Sequence, residues 1–354
     1  MSLGGDIMHI TEIDKNFKVD TKINKNDIVF YDVKNEPFRI YGVFYENGKY
    51  RRMRESIAKK VSEGVFYLHS NTAGGRVRFK TNSPYIAIHT KMSNVGKMPH
   101  FALTGSSGFD LYINEKYRAS FVPPFDLSSG YESIIELGDR KMREITINFP
   151  LYSDVNELYI GISKNGKIEK DEGYRIDKPI VYYGSSITQG GCASRPGNSY
   201  EAIISQKLSV DHINLGFSGN AKAEKEISSY ICSLDMCALV YDYDHNAPTT
   251  QHLESTHERM LKEIRQAKPN LPIIILSRPK YILTNEEKKR LEIIKRTYEN
   301  AKNNGDSNVY LIDGKTLMKL CHDEGTVDSC HPNDLGFFSM AQAVIKVLKK
   351  EVRL

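Results

Sequence analysis

The chain has 354 residues, 40% of them hydrophobic, and a formal net charge of +5 at pH 7. That length exceeds the usual single domain and predicts two. The apolar content is too high for a disordered chain, and basic residues intermixed with acidic ones argue against a dedicated nucleic-acid binder.

Lys288-Lys289-Arg290 and Lys349-Lys350 read as solvated helix faces. No apolar run reaches the ~18 residues of a membrane span, and no signal-peptide core stands at the N-terminus. A cytoplasmic protein that engages neither membranes nor nucleic acid is therefore expected. Met1-Ser2-Leu3-Gly4-Gly5 reads as a cloning remnant, opening a lead-in over residues 1–24, with Met8 a candidate native start. A signal peptide removed before cloning stays open. Five cysteines without zinc spacing predict free, buried or half-buried thiols in a reducing compartment. Cys232 and Cys237 have no matching Cys or His pair nearby, so no zinc site is expected there.

Residues 25–174 read as a β-sandwich or jelly roll. Alternating or β-branched runs recur at Ile28-Val29-Phe30-Tyr31, Val65-Phe66-Tyr67-Leu68, Val77-Arg78-Phe79-Lys80 and Tyr85-Ile86-Ala87-Ile88. Further runs follow at Leu111-Tyr112-Ile113, Ile145-Thr146-Ile147-Asn148-Phe149 and Leu158-Tyr159-Ile160-Gly161-Ile162. Turn residues punctuate them, as in Asn71-Thr72-Ala73-Gly74-Gly75.

The pattern changes near Asp177-Lys178-Pro179, and residues 175–354 read as an α/β domain. Apolar strands are predicted at 180–183, 213–215, 238–241, 273–276 and 309–312. Helices are predicted at 250–267, 286–303 and 335–351, the second opened by a Thr284/Glu287 capping box. In the last helix Phe338, Ala341, Val344 and Leu348 have helical spacing. This alternation predicts a parallel sheet covered on both faces, with ligands beyond the carboxyl ends of the strands.

Four places at or near those ends carry chemistry. Ser186, in Gly184-Ser185-Ser186-Ile187-Thr188, follows a strand and can present its hydroxyl, although the segment lacks the G-x-S-x-G elbow. Asn214-Leu215-Gly216-Phe217-Ser218-Gly219-Asn220 is rich in glycine and permits close backbone approach. Asp244-His245-Asn246 crowds polar groups after an apolar strand, and Asp328-Ser329-Cys330-His331 sets a carboxylate three residues before an imidazole. That spacing lets an aspartate fix a histidine tautomer, as a serine nucleophile requires.

Together these segments resemble the SGNH/GDSL hydrolase family. The resemblance implies Ser186 as nucleophile, His331 as base, Asp328 as its orienting carboxylate, and Gly219 and Asn246 as oxyanion donors with the Ser186 N–H. It further implies a three-layer, flavodoxin-like hydrolase domain. Tyr183-Gly184-Ser185-Ser186-Ile187-Thr188-Gln189-Gly190 and Arg195-Pro196-Gly197 are similar to the branch with an N-terminal β domain. Gly108-Phe109-Asp110-Leu111-Tyr112 matches that branch's Gly-x-Asp-Leu-Tyr signature. The chain departs from the family in three places: Ser185 stands for the Asp of the family name, Asp244 for a Gly, and Ala247 for an Asp.

The resemblance implies a serine esterase without cofactor, acting on short acyl groups, with O-acetyl groups on small molecules or oligosaccharides favoured. A lysophospholipase or thioesterase of the same mechanism is one alternative, and an inactive glycan-binding module is another. A homo-oligomer is left open. Outside the five implied roles, Asp110 and Tyr112 read as a structural strand pair or as residues the β domain lends to the site, Arg195 as a loop anchor or a binder of an anionic or sugar substrate, His245 as a loop histidine or a substrate contact, and Cys330 as a bystander.

Overall fold

The computed structural model describes residue 19 and residues 21–354; the cloning remnant expected at residues 1–5 and Met8 lie outside the described residues. The N-terminal half begins with β1 (Ile28–Asp32), β2 (Arg39–Tyr41), β3 (Phe44–Glu46) and β4 (Lys49–Arg51), then two helices, α1 (Glu55–Val61) and α2 (Glu63–Leu68). It continues through β5 (Arg76–Thr81), β6 (Tyr85–Lys91), α3 (Leu103–Ser106), β7 (Phe109–Ile113) and β8 (Lys116–Phe121). The last strands of this half are β9 (Gly130–Glu136), β10 (Arg143–Asn148), β11 (Glu157–Ser163) and β12 (Ile168–Glu169).

Two large antiparallel sheets result, ordered β1-β11-β6-β9 and β12-β5-β10-β7-β8, with β2 alongside β5, and β3 pairs with β4 as a separate hairpin. Residues two apart share one side of a strand. Val77 with Phe79, Ile86 with Ile88, Ile145 with Ile147, and Ile160 with Ile162 therefore meet in one core between the sheets. This is the sandwich that the alternating runs predict.

One predicted strand is a helix. Val65-Phe66-Tyr67-Leu68 lies in α2. Its β-branched start is outweighed by a wider pattern: Ala58, Val61, Val65 and Leu68 are buried at spacings of three and four, which is helical periodicity. Ser62 caps α2 by accepting the Val65 N–H at 3.2 Å. These apolar residues pack against Val181, Tyr183 and Leu215, so this part of the N-terminal half covers the α/β sheet.

The second half runs through β13 (Ile176–Gly184), α4 (Ser186–Gln189), α5 (Tyr200–Leu208), β14 (Val210–Gly216), α6 (Lys225–Ser233) and β15 (Ala238–Asp242). After these come α7 (Thr250–Ala267), β16 (Ile273–Leu276), α8 (Asn285–Asn303), β17 (Val309–Ile312), α9 (Gly314–Leu317) and α10 (Asp334–Val347). The strands pair in parallel in the order β14-β13-β15-β16-β17, the flavodoxin-like arrangement. Val181, Tyr183, Leu239 and Tyr241 face α6, α7 and α8, whereas Ile180, Tyr182, Ala238 and Val240 face α5 and α10. Alternate residues of each strand thus feed two helical layers. The Thr284/Glu287 capping box opens α8 as predicted. In α10 the buried aromatic is Phe337, and Phe338 is 44% exposed, because the inner stripe runs through Phe337, Met340, Ala341 and Val344.

Polar fastenings join the halves. Arg52 is fully buried and donates to Leu68 O and Asn71 O at 2.7 Å and to Gly216 O at 2.6 Å. Burial lowers its pKa to about 10, so it stays charged near neutrality. Asp110 on β7 is likewise buried; it accepts from Asn148 Nδ2 at 2.7 Å, Gly197 N at 2.8 Å and Arg195 Nη1 at 3.1 Å. The Arg195 guanidinium also lies 3.8 Å from the centre of the Tyr117 ring, and Tyr112 Oη donates to Gly197 O at 3.3 Å. The Gly-x-Asp-Leu-Tyr segment thus holds the loop that follows Ser186.

Two expectations follow. Asp110→Ala leaves Arg195 without its carboxylate and the buried Gly197 N–H unpaired, a change that typically costs about 3–5 kcal/mol. A lower urea midpoint should report it, and an unchanged midpoint would mean that the fastening contributes little.

The second concerns Asp242, buried at the end of β15 with Thr188 Oγ1 donating to it at 3.3 Å. Desolvation, reinforced by the Asp244 charge, pushes its pKa up to about 7. An unfolded aspartate titrates near about 3.9, so between those values the folded chain keeps a proton that the unfolded chain has lost. Stability therefore falls as pH rises through that window and loses nothing more from this group above it. Asp242→Asn should gain over the parent from about pH 4 to about pH 7, by on the order of a few kcal/mol, and level off above. Urea midpoints of both proteins across that range provide the check; a pH-independent difference would sink the assignment.

Candidate active site

The site is assembled where three neighbouring parallel strands end. Gly184 pairs with Gly216 on one side and Asp242 on the other, so the loops after β13, β14 and β15 leave the sheet together. They run very close: a Cβ on Gly184 would stand 2.1 Å from Asp242 O, and one on Gly216 would stand 2.2 Å from Gln189 N. Only glycine fits at either position.

Ser185 caps α4, its Oγ accepting the Ile187 N–H at 3.2 Å, so a serine does here what an aspartate could do. Ser186 is consequently the first helical residue, and its N–H has no partner within the helix. Its carbonyl accepts from Gly191 N at 2.8 Å and from Tyr152 Oη at 3.2 Å, the tyrosine coming from the N-terminal half. Ser186 is 8% exposed, and its Oγ lies 2.9 Å from His331 Nε2.

His331 is aimed by a local turn. Asp328 Oδ1 accepts the N–H groups of Cys330 at 3.1 Å and His331 at 2.7 Å, and its Oδ2 lies 2.8 Å from His331 Nδ1. Burial works to raise the Asp328 carboxyl, but the bonds from the His331 backbone and ring outweigh it and bring the pKa down to about 2. Asp328 is an anion at neutral pH, able to hold the proton on Nδ1 and leave Nε2 bare towards Ser186. Directly beyond, Asn333 caps α10, and Asp334 accepts the Ser194 N–H at 2.8 Å, tying the histidine loop to the serine loop.

Gly219 and Asn246 sit in the adjoining loops. Gly219 has φ +70°, in the left-handed region that glycine adopts freely. The neighbouring Ser218 N–H is held by Gln189 Oε1 at 3.0 Å, which docks this turn on α4. Asn246 Oδ1 accepts the Ala221 N–H at 3.2 Å, so the amide's donor end, Nδ2, is the one turned free. Asp244, which stands for a glycine of the family, is buried against Arg290 at 2.6 Å and Arg278 at 3.4 Å. Those two cations make the departure tolerable, holding the carboxyl below its ordinary range against its burial.

The structure therefore brings Ser186, His331 and Asp328 into one hydrogen-bonded line and places Gly219 and Asn246 on the neighbouring strand ends. Asp110, Tyr112 and Arg195 are engaged with one another and with the serine loop. His245 Nδ1 lies 3.6 Å from Cys330 Sγ, whose thiol burial and Asp328 push up, leaving a poor nucleophile. The five cysteines are free and buried or half-buried, as expected. A cavity of about 520 Å³ lined by Glu258, Arg265, Thr297 and Asn308 lies at the amino ends of the strands, away from this chemistry. Sequence reasoning missed Tyr152, the Ser194–Asp334 tie, and a meeting of His100 and Cys192 with His331. The expected lack of metal-ligand spacing holds along the chain but not in space.

Among the described residues no helix is long and apolar enough to cross a membrane. Residues 177–349 match the GDSL-like lipase/acylhydrolase family, and residues 28–168 match the N-terminus of SGNH hydrolase-type esterases. Comparison with curated proteins gives no match. Among solved structures, a GDSL-like lipase described from Bacteroides ovatus is 29% identical, with a TM-score of 0.82 over 92% of this chain and 98% of that one. A salicylyl-acyltransferase from a tetracycline biosynthetic pathway is 15% identical, with a TM-score of 0.74 over 93% and 98%. A family two carbohydrate esterase from Clostridium thermocellum, in complex with cellohexaose, is 12% identical, with a TM-score of 0.61 over 89% and 99%. The last two show the fold alone. With each half matching its own part of one enzyme architecture, the chain belongs to the SGNH/GDSL hydrolase family, in the branch with an N-terminal Gly-x-Asp-Leu-Tyr domain.

Proposed function

We propose that this protein is a serine esterase that hydrolyses short-chain carboxylic esters through an acyl-enzyme, with O-acetyl groups on carbohydrates as favoured substrates. The observation that carries the reading is the hydrogen-bonded line from Ser186 Oγ through His331 to Asp328. A serine hydroxyl is a weak nucleophile until a base removes its proton during attack. His331 Nε2 takes that proton as Ser186 Oγ bonds to the acyl carbon, then delivers it to the leaving alcohol. Asp328 stabilises the imidazolium without being protonated itself. The tetrahedral oxyanion is received by the Ser186 N–H, the Gly219 N–H and Asn246 Nδ2, each such donor being worth ~10²–10³ in rate. Water activated by His331 then releases the acid and restores Ser186.

The acyl preference rests on the lack of any long apolar segment to form an acyl-chain tunnel and on close packing at the nucleophile, where a Cβ on Gly191 would stand 3.0 Å from the Ser186 carbonyl oxygen and 3.4 Å from the His331 ring. The carbohydrate preference leans on fold neighbours such as the Clostridium thermocellum carbohydrate esterase. The substrate is a small-molecule or oligosaccharide ester, with no nucleic-acid or membrane partner. The free thiols suit a cytoplasmic setting.

Ser186→Ala should remove both ester hydrolysis and covalent labelling by a fluorophosphonate, with the circular dichroism spectrum unchanged. Asp328→Asn should turn the imidazole to the wrong tautomer. The analogous change in serine proteases lowers kcat by ~10⁴; with an easier leaving group we expect on the order of 10²–10³ here. His331→Ala should lose more, because the base itself is gone. Near-parental kcat in Asp328→Asn beside a dead His331→Ala would reduce the triad to a dyad. Separately, kcat/KM on p-nitrophenyl esters should fall from acetate to palmitate, and acetylated xylo-oligosaccharides should be deacetylated. Faster turnover of palmitate would favour a lysophospholipase or thioesterase instead.

A further inference from the structure

His100, Cys192 and His331 are far apart in the chain, yet one ring nitrogen of each histidine and the Cys192 sulfur lie within 4.8 Å of one another. His100 is exposed on the loop ahead of α3, Cys192 is 7% exposed in the loop after α4, and His331 precedes α10. The two imidazole rings stand 5.7 Å apart between centroids, tilted by 46°. His331 Nδ1 is taken by Asp328, so Nε2 is the nitrogen this group can use.

Imidazole nitrogen and thiolate are the donors that zinc takes in four-coordinate sites, at about 2.0–2.1 Å and 2.3 Å respectively. Around such an ion the donors stand roughly 3.3–3.7 Å apart, so contraction by about 1 Å would close the site. Rotation of the exposed His100 side chain can shorten its two distances, and rotation of the Cys192 thiol about its Cα–Cβ bond the third. Two features are already those of a metal site. A ligand histidine usually has a carboxylate on its other nitrogen, and Asp328 does this for His331. Cys192 has φ +75°, a conformation that side-chain-bearing residues adopt only where the surroundings impose it, and often at functional sites.

We propose that His100, Cys192 and His331 form a zinc-binding site that reversibly shuts the active site. Zinc takes the lone pair of His331 Nε2, the same pair that would receive the Ser186 proton, so metal and catalysis exclude one another. The Cys192 thiol releases its proton to solvent as the sulfur–zinc bond forms, and a water fills the fourth position. The inhibitory part rests on the reading of His331 as the base; the binding part does not.

The test uses the full chain freed of metal, with cobalt chloride and zinc chloride as probes. Cobalt(II) should give a thiolate-to-metal charge-transfer band, and zinc should abolish it. Zinc should suppress hydrolysis of an acetyl ester until EDTA restores it. His100→Ala removes an exposed side chain and should fold and keep near-parental kcat; Cys192→Gly puts glycine at a φ that suits it and should fold, its zinc response being read against its own metal-free rate. Losing a mere supporting group costs metal affinity about 10–100-fold, so losing a ligand should raise the half-inhibiting zinc concentration by about a hundredfold or more. Absence of the cobalt band in the parent, stimulation by zinc, or undiminished zinc sensitivity in both variants would overturn the site. A parent that shows the band yet hydrolyses esters at full rate with zinc bound would instead overturn His331 as the base.

Discussion

The site depends on one steric constraint: the ends of β13 and β14 have no room for a Cβ. Gly184 and Gly216 let the loops after three strands converge within van der Waals distance of one another and of α4. A parallel sheet already aims its strand ends to one side. The glycines allow the serine, glycine and asparagine loops to share the space there. Side chains at those two positions would have to push α4, and with it Ser186, out of line with His331.

Convergence alone would leave long loops free to wander, and the N-terminal half restrains them. Arg52 reaches Gly216 O from one side, Tyr152 reaches the Ser186 carbonyl, and Asp110 clamps the loop through Arg195 and Gly197. Each contact ends on backbone or on a buried charge, so each fixes a position and not merely an approximate packing. The sandwich thereby supports the site, and its helices α1 and α2 complete the hydrophobic cover of the α/β sheet. Asp328 does the same within a single turn, using both carboxylate oxygens to hold the His331 backbone and ring at once.

Much of this was legible in the sequence. The 2-residue and 3.6-residue periodicities identify a sandwich followed by an α/β domain, because each element must bury one face. The Thr284/Glu287 cap was readable because capping is local. Asp328 and His331, three residues apart, also announce their contact, and the family resemblance joined them to Ser186, Gly219 and Asn246 in chain order. Where the reading failed, a short window misled it. Val65 to Leu68 is rich in strand-forming residues, but its partners Ala58 and Val61 lie a full turn or more upstream.

The sequence by itself determined the layers, the strand ends that carry chemistry, and the identity of the proposed catalytic groups. The first two rest on periodicity and local hydrogen bonding, and the third on the family resemblance that the order of motifs carries. Only the tertiary structure decided that Tyr152 and Asp110 restrain the serine loop and that Asp334 bonds back to Ser194. It alone decided that His100 and Cys192 come within reach of His331. Such contacts join residues tens to hundreds of positions apart, and their geometry is set by how two cores pack together. No spacing along the chain encodes that packing.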